Sequence, residues 1–335
     1  MRFGLALPQY GFSLPDGQEI GVGVTADWAR RAEQLGFDSV WLSDHLFYSF
    51  ARYGADPAPI PAIEPMTALA GIAAVTTRVR LGTLVLCASF RHPALLAKMA
   101  TTIDRISGGR LDLGLGAGWL QEEFDAFGFP FGTVAERFDT LEGTLAALSA
   151  LQSGRPATYE GPTVTLRDAL LLPAPVHGRV PVWVGGKGGP RLLQLAARYA
   201  DGWNSVWRID RDDYANRVRS AREACEAIGR DPATFRLSVG LYSLLGADEA
   251  EARAMFERGR TAFPGGAMDA ETWASWRADT LSGSPDQVIE RVHQLEELGV
   301  EEIVVSPWVL PFAVHEPATI DVWAERVISP LLASG

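Results

Sequence analysis

Short apolar segments alternate along the chain with longer segments in which apolar and polar residues recur at helical spacing. Eight of the apolar segments carry few polar side chains on either face, which is typical of parallel strands buried on both sides of a sheet. These predicted strands are Arg2–Pro8, Ser39–Leu42, Arg80–Leu86, Leu111–Gly114, Val182–Gly185, Gly202–Ser205, Arg236–Leu244 and Glu302–Ser306.

The amphipathic segments between these strands predict helices. Gly36 follows one of them as a C-terminal stop, and Pro93 occupies the first position of another, where its missing N–H costs nothing. The predicted helices are Asp27–Leu35, Pro65–Val75, Pro93–Ile106, Arg191–Tyr199, Asp212–Ile228, Pro285–Leu298 and Thr319–Leu332.

A strand followed by a helix, eight times over, predicts an α/β fold of the (β/α)8 TIM-barrel type. A doubly wound open sheet is the alternative. That fold usually has fewer strands and a G-x-G-x-x-G fingerprint in the first turn, where this chain reads Leu7-Pro8-Gln9-Tyr10-Gly11-Phe12.

Two segments interrupt the alternation, at about 119–181 and 246–283. The first contains a predicted helix, Ala135–Leu151, and a predicted hairpin, Thr158–Leu166. We interpret both segments as insertions at the barrel rim. With no linker or repeat beyond the strand–helix unit, residues 1–335 are expected to form a single domain.

Composition and charge exclude several classes of protein. The formal net charge is −11, which argues against nucleic acid as the main partner because phosphate binding needs a basic surface. Cys87 and Cys225 are the two cysteines, so neither a disulfide framework nor a zinc site is expected. The N-terminus shows no signal peptide, and no apolar run reaches the roughly 18 residues of a membrane helix. A cytoplasmic protein without membrane association is expected.

Active sites of such barrels form at the C-terminal ends of the strands. Asp44 and His45 follow the second predicted strand, and a histidine there can move a proton near neutral pH. The alternative is that Asp44 caps a turn and His45 is a surface loop residue. After the third strand, Arg91 can meet an anionic group, whereas the pair His92-Pro93 is typical of a simple helix start.

Two glycine-rich segments follow the next strands. The sequence Gly114-Leu115-Gly116-Ala117-Gly118-Trp119 allows the backbone to approach a ligand, but a tight turn explains it equally well. The sequence Gly185-Gly186-Lys187-Gly188-Gly189-Pro190-Arg191 combines free amides, positive charge and a helix start, which favours a phosphate site over a plain loop.

Other catalytic signatures are missing from the sequence. It has neither the H-E-x-x-H motif of zincins nor the G-x-S-x-G elbow of α/β-hydrolases. Its five histidines show no metal-ligand spacing, so no metal is expected.

Several ordered segments together resemble the bacterial-luciferase-like monooxygenase superfamily. They cover nearly the whole chain, and their order is more specific than any one of them. They are residues 35–45 (LGFDSVWLSDH), 80–83 (RLGT), 91–93 (RHP), 107–111 (SGGRL), 114–119 (GLGAGW), 181–186 (PVWVGG), 200–203 (ADGW) and 283–285 (GSP).

The resemblance implies a (β/α)8 barrel, usually dimeric, that binds reduced FMN or its 5-deaza analogue, coenzyme F-420. The segments at 116–119 (GAGW) and 183–186 (WVGG) look closest to the F-420-dependent branch. The resemblance also implies a bulge after the third strand, often with a non-proline cis peptide, which by alignment falls at Leu84-Val85.

Residue roles follow from the same resemblance. His45 is expected to face the reactive edge of the cofactor ring as the proton partner, with Asp44 tuning or orienting it. Lys187 and Arg191 are expected to pair with the anionic F-420 tail. Trp119 lies at the position where some family dehydrogenases have a catalytic glutamate. This difference argues against assigning their sugar-phosphate chemistry to this chain. The residues expected along the ribityl chain and phosphate are Gly116, Ala117, Gly118, Gly185 and Gly186.

Three functions follow as hypotheses. The first is F-420-dependent hydride transfer to or from a small organic molecule. The second is an FMNH2-dependent monooxygenase that inserts one oxygen atom and is supplied by a separate reductase, and the third is a flavin-binding barrel without turnover. The substrate pocket is expected to form from residues 119–134 and 246–283, whose aromatic residues include Phe263 and Trp276.

Overall fold

The structure, a computed structural model, describes residues 1–334. Its centre is a closed barrel of eight parallel strands, in which each strand pairs with the next along the chain and the eighth pairs with the first. The strands are β1 (Arg2–Ala6), β2 (Ser39–Leu42), β3 (Arg80–Thr83), β4 (Leu111–Gly116), β5 (Val182–Gly185), β6 (Gly202–Trp207), β7 (Arg236–Leu245) and β8 (Val300–Ser306).

Helices between successive strands surround the barrel. They are α1 (Val22–Gln34), α2 (Pro65–Val75), α3 (Pro93–Ser107), α4 (Val134–Leu151), α5 (Pro190–Tyr199), α6 (Arg211–Glu226), α7 (Pro285–Glu297) and α8 (Thr319–Trp323), which continues through a π-helical turn, Ala324–Ile328, to Ser329–Ser334. The predicted (β/α)8 barrel is therefore confirmed. Within residues 1–334 no helix is both long enough and apolar enough to cross a bilayer.

The helix predicted as part of an insertion belongs to the barrel. Helix α4 packs between α3 and α5 in the outer ring, because it starts at a capping box formed by Thr133 and Glu136 and buries Leu141, Leu145 and Leu148. The remaining rim elements before β5 are a short helix, Gln121–Phe127, and the predicted hairpin, formed by Ala157–Glu160 and Thr165–Ala169. The later insertion contains two helices, Glu249–Ala262 and Trp273–Asp279, and a strand, Leu281–Gly283, that pairs with β7.

Two boundaries differ from the prediction in ways that shape the site. The third strand was expected to run to residue 86, but it ends at Thr83 and resumes as Leu86–Cys87 beyond an interruption at Leu84-Val85. The fourth strand was expected to end at Gly114, but it continues to Gly116 because both short segments pair with it.

The N-terminal end of the barrel is closed by a buried polar network. The Ser39 hydroxyl donates to Glu302 at 2.5 Å, and the Trp41 indole donates to Ser39 at 2.7 Å. Arg2 lies 3.1 Å from Glu302. Burial raises the pKa of Glu302, although the charge of Arg2 opposes this. The network is at the end of the barrel opposite the strand C-termini, where it contributes to folding rather than chemistry.

Candidate active site

A cavity of about 620 Å³ opens at the C-terminal ends of the strands. A second, shallow depression lies on the outer surface between α6 and α7, away from the strand ends. The first cavity brings together ten of the eleven site residues predicted from the sequence, namely Asp44, His45, Leu84, Val85, Gly116, Ala117, Gly118, Gly185, Gly186 and Lys187.

The loop that carries His45 is anchored by a residue from the neighbouring strand end. The buried Gln9 amide donates to the Ser43 carbonyl at 2.8 Å and accepts from the Ser43 N–H at 2.6 Å. The Tyr10 hydroxyl shares a hydrogen bond with the Ser43 hydroxyl, and burial raises the pKa of Tyr10, so its phenol stays neutral. Sequence reasoning missed Gln9 and Tyr10, although polar residues directly after a barrel strand were a usable signal.

His45 is held by Glu123, a residue that the sequence did not single out. The Nδ1 of His45 lies 2.8 Å from Oε2 of Glu123. The other carboxylate oxygen accepts from the backbone N–H groups of Leu46 and Phe47. An ionised carboxylate accepts hydrogen bonds but does not donate them. Paired with one, a neutral His45 ring carries its proton on Nδ1 and leaves Nε2 for another partner.

Aromatic rings surround the imidazole. The rings of Tyr10, Tyr48 and Trp119 lie 5.9, 5.4 and 5.6 Å from it, each edge-on. The His45 side chain is consequently only 11% exposed. A largely enclosed imidazole whose Nδ1 is fixed by Glu123 is suited to exchange a proton at Nε2 with a bound molecule rather than with bulk water.

Asp44 does not orient His45 through its side chain, contrary to the prediction. Its carboxylate receives both guanidinium N–H groups of Arg91, at 2.6 and 2.9 Å, and the Cys87 N–H at 2.9 Å. Arg91 also contacts Glu64 at 2.5 Å. Burial lowers the pKa of Arg91, but the hydrogen bonds and charge of Asp44 raise it more. Asp44 thus ties the His45 loop to the segment after β3.

Residues 84 and 85 form the expected bulge, and their peptide bond is cis. The Val85 side chain projects toward β4 and β5, where a Cβ on Gly116 would stand 2.7 Å, and one on Gly185 2.5 Å, from its methyl groups. Both glycines line the cavity. Their missing side chains make room for Val85, so the glycine spacing reflects the shape of the bulge as well as any ligand.

The segment after β5 retains the features expected of a phosphate site, with one exception. Lys187 is exposed at the cavity, and α5 begins three residues later with its first amides unpaired within the helix. Arg191 does not line the cavity. Its guanidinium instead turns to α4, where it pairs with Asp139 at 2.5 Å and Glu142 at 3.5 Å. The structure thus directs Arg191 away from the cavity, where the sequence had predicted a cofactor contact.

Asn204, on β6, presents a buried polar atom to the cavity. Its Nδ2 donates to the Ser238 hydroxyl at 2.7 Å, whereas its Oδ1 has no hydrogen-bond partner among the described residues. Asn204 is 1% exposed and lines the cavity. A buried acceptor without a partner is costly, and a donor on a bound molecule would satisfy it.

The apolar wall of the cavity comes from the barrel itself and not from residues 246–283. Trp207 stacks on Tyr242 at 5.6 Å, and Phe312 meets Trp207 edge-on at 5.2 Å. Trp276, from the later insertion, stacks behind Tyr242 at 5.4 Å. The prediction that this insertion builds the pocket was wrong, because its aromatic residues support the wall from behind. Of the two predicted segments, the 119–134 region alone reaches the cavity, through Trp119, Glu123 and Phe124.

Comparisons with known proteins show what the chain as a whole is similar to. The family model described as luciferase-like monooxygenase matches residues 1–302. An F-420-dependent glucose-6-phosphate dehydrogenase from Kineococcus radiotolerans is 32% identical over 297 residues, covering 88% of this chain and 81% of that protein.

Solved structures share the fold across the whole chain. An F-420-dependent secondary alcohol dehydrogenase, in complex with an F-420–acetone adduct, superposes with a TM-score of 0.77 at 20% identity and covers 98% of both chains. A riboflavin lyase with modified FMN and riboflavin superposes with a TM-score of 0.80 at 17% identity, covering 100% of this chain and 92% of that one.

Proposed function

The chain belongs to the luciferase-like monooxygenase family, and we propose that it is an oxidoreductase that uses coenzyme F-420 for hydride transfer to or from a small organic substrate. The relative with 32% identity over 88% of this chain is an F-420-dependent dehydrogenase. The observation that carries the proposal is the His45–Glu123 pair, which holds an oriented proton-exchanging nitrogen inside a cavity at the barrel mouth.

The residues present fit a cofactor of this type. The unpartnered Oδ1 of Asn204 offers an acceptor to a ring N–H, and the apolar bulge of Leu84 and Val85 offers a surface for a flat ring. Lys187 and the start of α5 offer charge and amide donors for a phosphate. When bound, deazaflavin supplies a ring carbon that carries a hydride.

The protein contributes the proton and the orientation. With Nδ1 committed to Glu123, Nε2 of His45 takes the proton of a substrate hydroxyl in one direction and returns it to the oxygen in the other. Tyr10, Tyr48 and Trp119 exclude water from this nitrogen. Asp44 holds the loop by its pairing with Arg91 and takes no part in the proton movement.

Oxygen insertion with reduced FMN, supplied by a separate reductase, is the second candidate, because a structural neighbour contains modified FMN. The decisive experiment titrates F-420 and FMN separately into the purified protein and follows fluorescence quenching. Tight F-420 and weak FMN binding, with no oxygen uptake during turnover, is expected. The reverse affinities together with substrate-dependent oxygen uptake would establish the monooxygenase instead.

Turnover distinguishes an enzyme from a barrel that only binds a flavin. His45→Gln is expected to lower kcat for F-420 reduction by secondary alcohols about 10²-fold or more while leaving the F-420 dissociation constant unchanged. The matched control is His293→Gln, which removes an exposed histidine on α7. Equal kcat values in the two variants would contradict the proposed role of His45.

We also propose a homodimer in the cytoplasm. Support for the dimer comes from exposed apolar side chains on and beside the adjacent helices α2 and α3, where Val75, Leu95, Ile106 and Leu172 are 41–57% exposed. Both cysteines are free and buried, in keeping with a reducing compartment. Light scattering tests the interface: the wild type is expected to be a dimer and Leu95→Glu a monomer. A monomeric wild type would contradict the proposed dimer.

A further inference from the structure

Two positive charges at the cavity have no carboxylate partner among residues 1–334, namely those of Arg52 and Lys187. The third lining cation, Arg208, is paired with Glu271 at 2.7 Å and Asp279 at 2.8 Å. Of the lining carboxylates, Asp44 is paired with Arg91 and Glu123 is hydrogen-bonded to Nδ1 of His45. In a chain with a net charge of −11, the cavity mouth is therefore a local site for anions.

Aromatic rings hold Arg52 in place. It lies in a short 3-10 turn, Ala51–Tyr53, and its guanidinium carbon stands 4.6 Å from the Trp119 ring centre and 5.1 Å from that of Tyr53. Neither ring contact is a hydrogen bond, and the guanidinium N–H groups of Arg52 have no hydrogen-bond partner among residues 1–334, so they remain available to bind an anion in two places at once.

The two unpaired cations belong to different sides of the barrel. Arg52 is on the loop after β2, and Lys187 is on the loop after β5, three strands away in a ring of eight. Lys187 stands beside the start of α5, which suits a cofactor phosphate. Arg52 instead connects to the proton-exchanging residue, because Trp119 contacts both Arg52 and the His45 ring.

We propose that the substrate is anionic and that Arg52 binds its carboxylate or phosphate group. The apolar body of the substrate lies against Trp119, which contacts both Arg52 and His45, and against Tyr48, which contacts His45 and Trp119. The reacting alcohol or carbonyl then faces His45. This inference rests on the proposed hydride-transfer function and names the substrate class for that site.

The test uses simple probes on the protein loaded with oxidised F-420. Phenyl phosphate, benzoate and the neutral benzyl alcohol are titrated by calorimetry into the wild type, Arg52→Gln, Arg52→Lys and Arg167→Gln. Arg167 is an exposed residue of the hairpin, so its variant removes the same charge at a remote place. We expect at least one anionic probe to bind the wild type about tenfold more tightly than benzyl alcohol, and the tighter of the two anions identifies the group.

Arg52→Gln is expected to abolish this preference, Arg52→Lys to retain part of it, and Arg167→Gln to retain all of it, with F-420 affinity within twofold throughout. An unchanged preference in Arg52→Gln, or no preference in the wild type, would overturn the inference. So would a loss of F-420 affinity in Arg52→Gln, because it would assign Arg52 to the cofactor tail. If F-420 does not bind the wild type, the proposed function fails separately, and the same probes are then compared on the free protein.

Discussion

Glu123 and His45 are 78 positions apart in the chain, yet the Nδ1 of the histidine lies 2.8 Å from the carboxylate. The contact joins the loop after β2 to the rim helix after β4. Because Glu123 also accepts from the backbone N–H groups of Leu46 and Phe47, it fixes both the ring and the loop that carries it. Glu123 is thus a positioning residue for the proposed proton exchange.

We expect Glu123→Gln to lower kcat by about 10- to 100-fold, because the amide has one acceptor oxygen where Glu123 uses two and carries no charge to stabilise a protonated His45 ring. KM for the substrate and the F-420 dissociation constant are expected to change little. Steady-state kinetics and cofactor titration measure these quantities. Glu122→Gln, an exposed neighbour in the same helix, is the control. A purely structural role for Glu123 would show itself as equal losses in kcat and cofactor affinity.

The packing of Val85 against Gly185 predicts a compensating pair of substitutions. Gly185→Ala places a Cβ 2.5 Å from a Val85 methyl group and is expected to lower the free energy of unfolding by about 1–3 kcal/mol. Val85→Ala in the same chain is expected to recover most of this loss, as measured by urea denaturation. Gly23→Ala, which meets no atom within 4 Å, should cost nothing. Failure of the double variant to recover would place the strain elsewhere.

Two arginine–aspartate pairs of similar geometry differ in burial and should differ in strength. The Arg91 and Asp44 side chains are 10% and 1% exposed, whereas those of Arg179 and Asp201 are 53% and 21% exposed. Arg91→Met strands a buried carboxylate and is expected to cost about 3–5 kcal/mol of unfolding free energy. Arg179→Met is expected to cost less than about 1 kcal/mol. Equal costs by urea denaturation would contradict this ranking.

Glu302 predicts a dependence of stability on pH. Burial raises its pKa in the folded protein above the ordinary value of 4.5, so the folded state holds this proton more tightly than the unfolded state. Its contribution to stability is therefore complete below pH 4.5 and is lost as pH rises through the folded pKa. Glu302→Gln cannot ionise and should gain stability relative to the wild type as pH rises above 4.5. A constant difference in urea denaturation across this range would exclude the effect.

The barrel could be predicted because its strands and helices are local features. Apolar runs such as Val182–Gly185 and helix starts such as Pro65 and Pro93 lie in the structure where the sequence places them. The errors arose where an element's place depends on distant partners. Helix α4 has the pattern of any amphipathic helix, and only its packing between α3 and α5 shows that it belongs to the ring.

The site was predicted as far as chain position determines it. Residues directly after a barrel strand, such as His45 and Lys187, reach the mouth because every strand ends there. Side-chain partners were less accessible to sequence reasoning. Asp44 is adjacent to His45 in the chain, but its side chain pairs with Arg91. Arg191 has the positive charge that an anionic cofactor tail requires, but its side chain pairs with Asp139. Competition among several carboxylates for each cation is decided only by the folded geometry.

The placement of the tryptophans allows ligand binding to be followed by intrinsic tryptophan fluorescence. Among the described residues Trp119 is the most exposed tryptophan, at 42%, and it lies at the cavity mouth between His45 and Arg52. Trp41, Trp183 and Trp323 are sealed in the interior. Trp207 also lines the cavity, but it is half-buried and stacked on Tyr242. A molecule that enters the cavity therefore changes the surroundings of both tryptophans, and the more exposed Trp119 contributes the red-shifted part of the intrinsic emission, which reports the reacting end of the site without any added label.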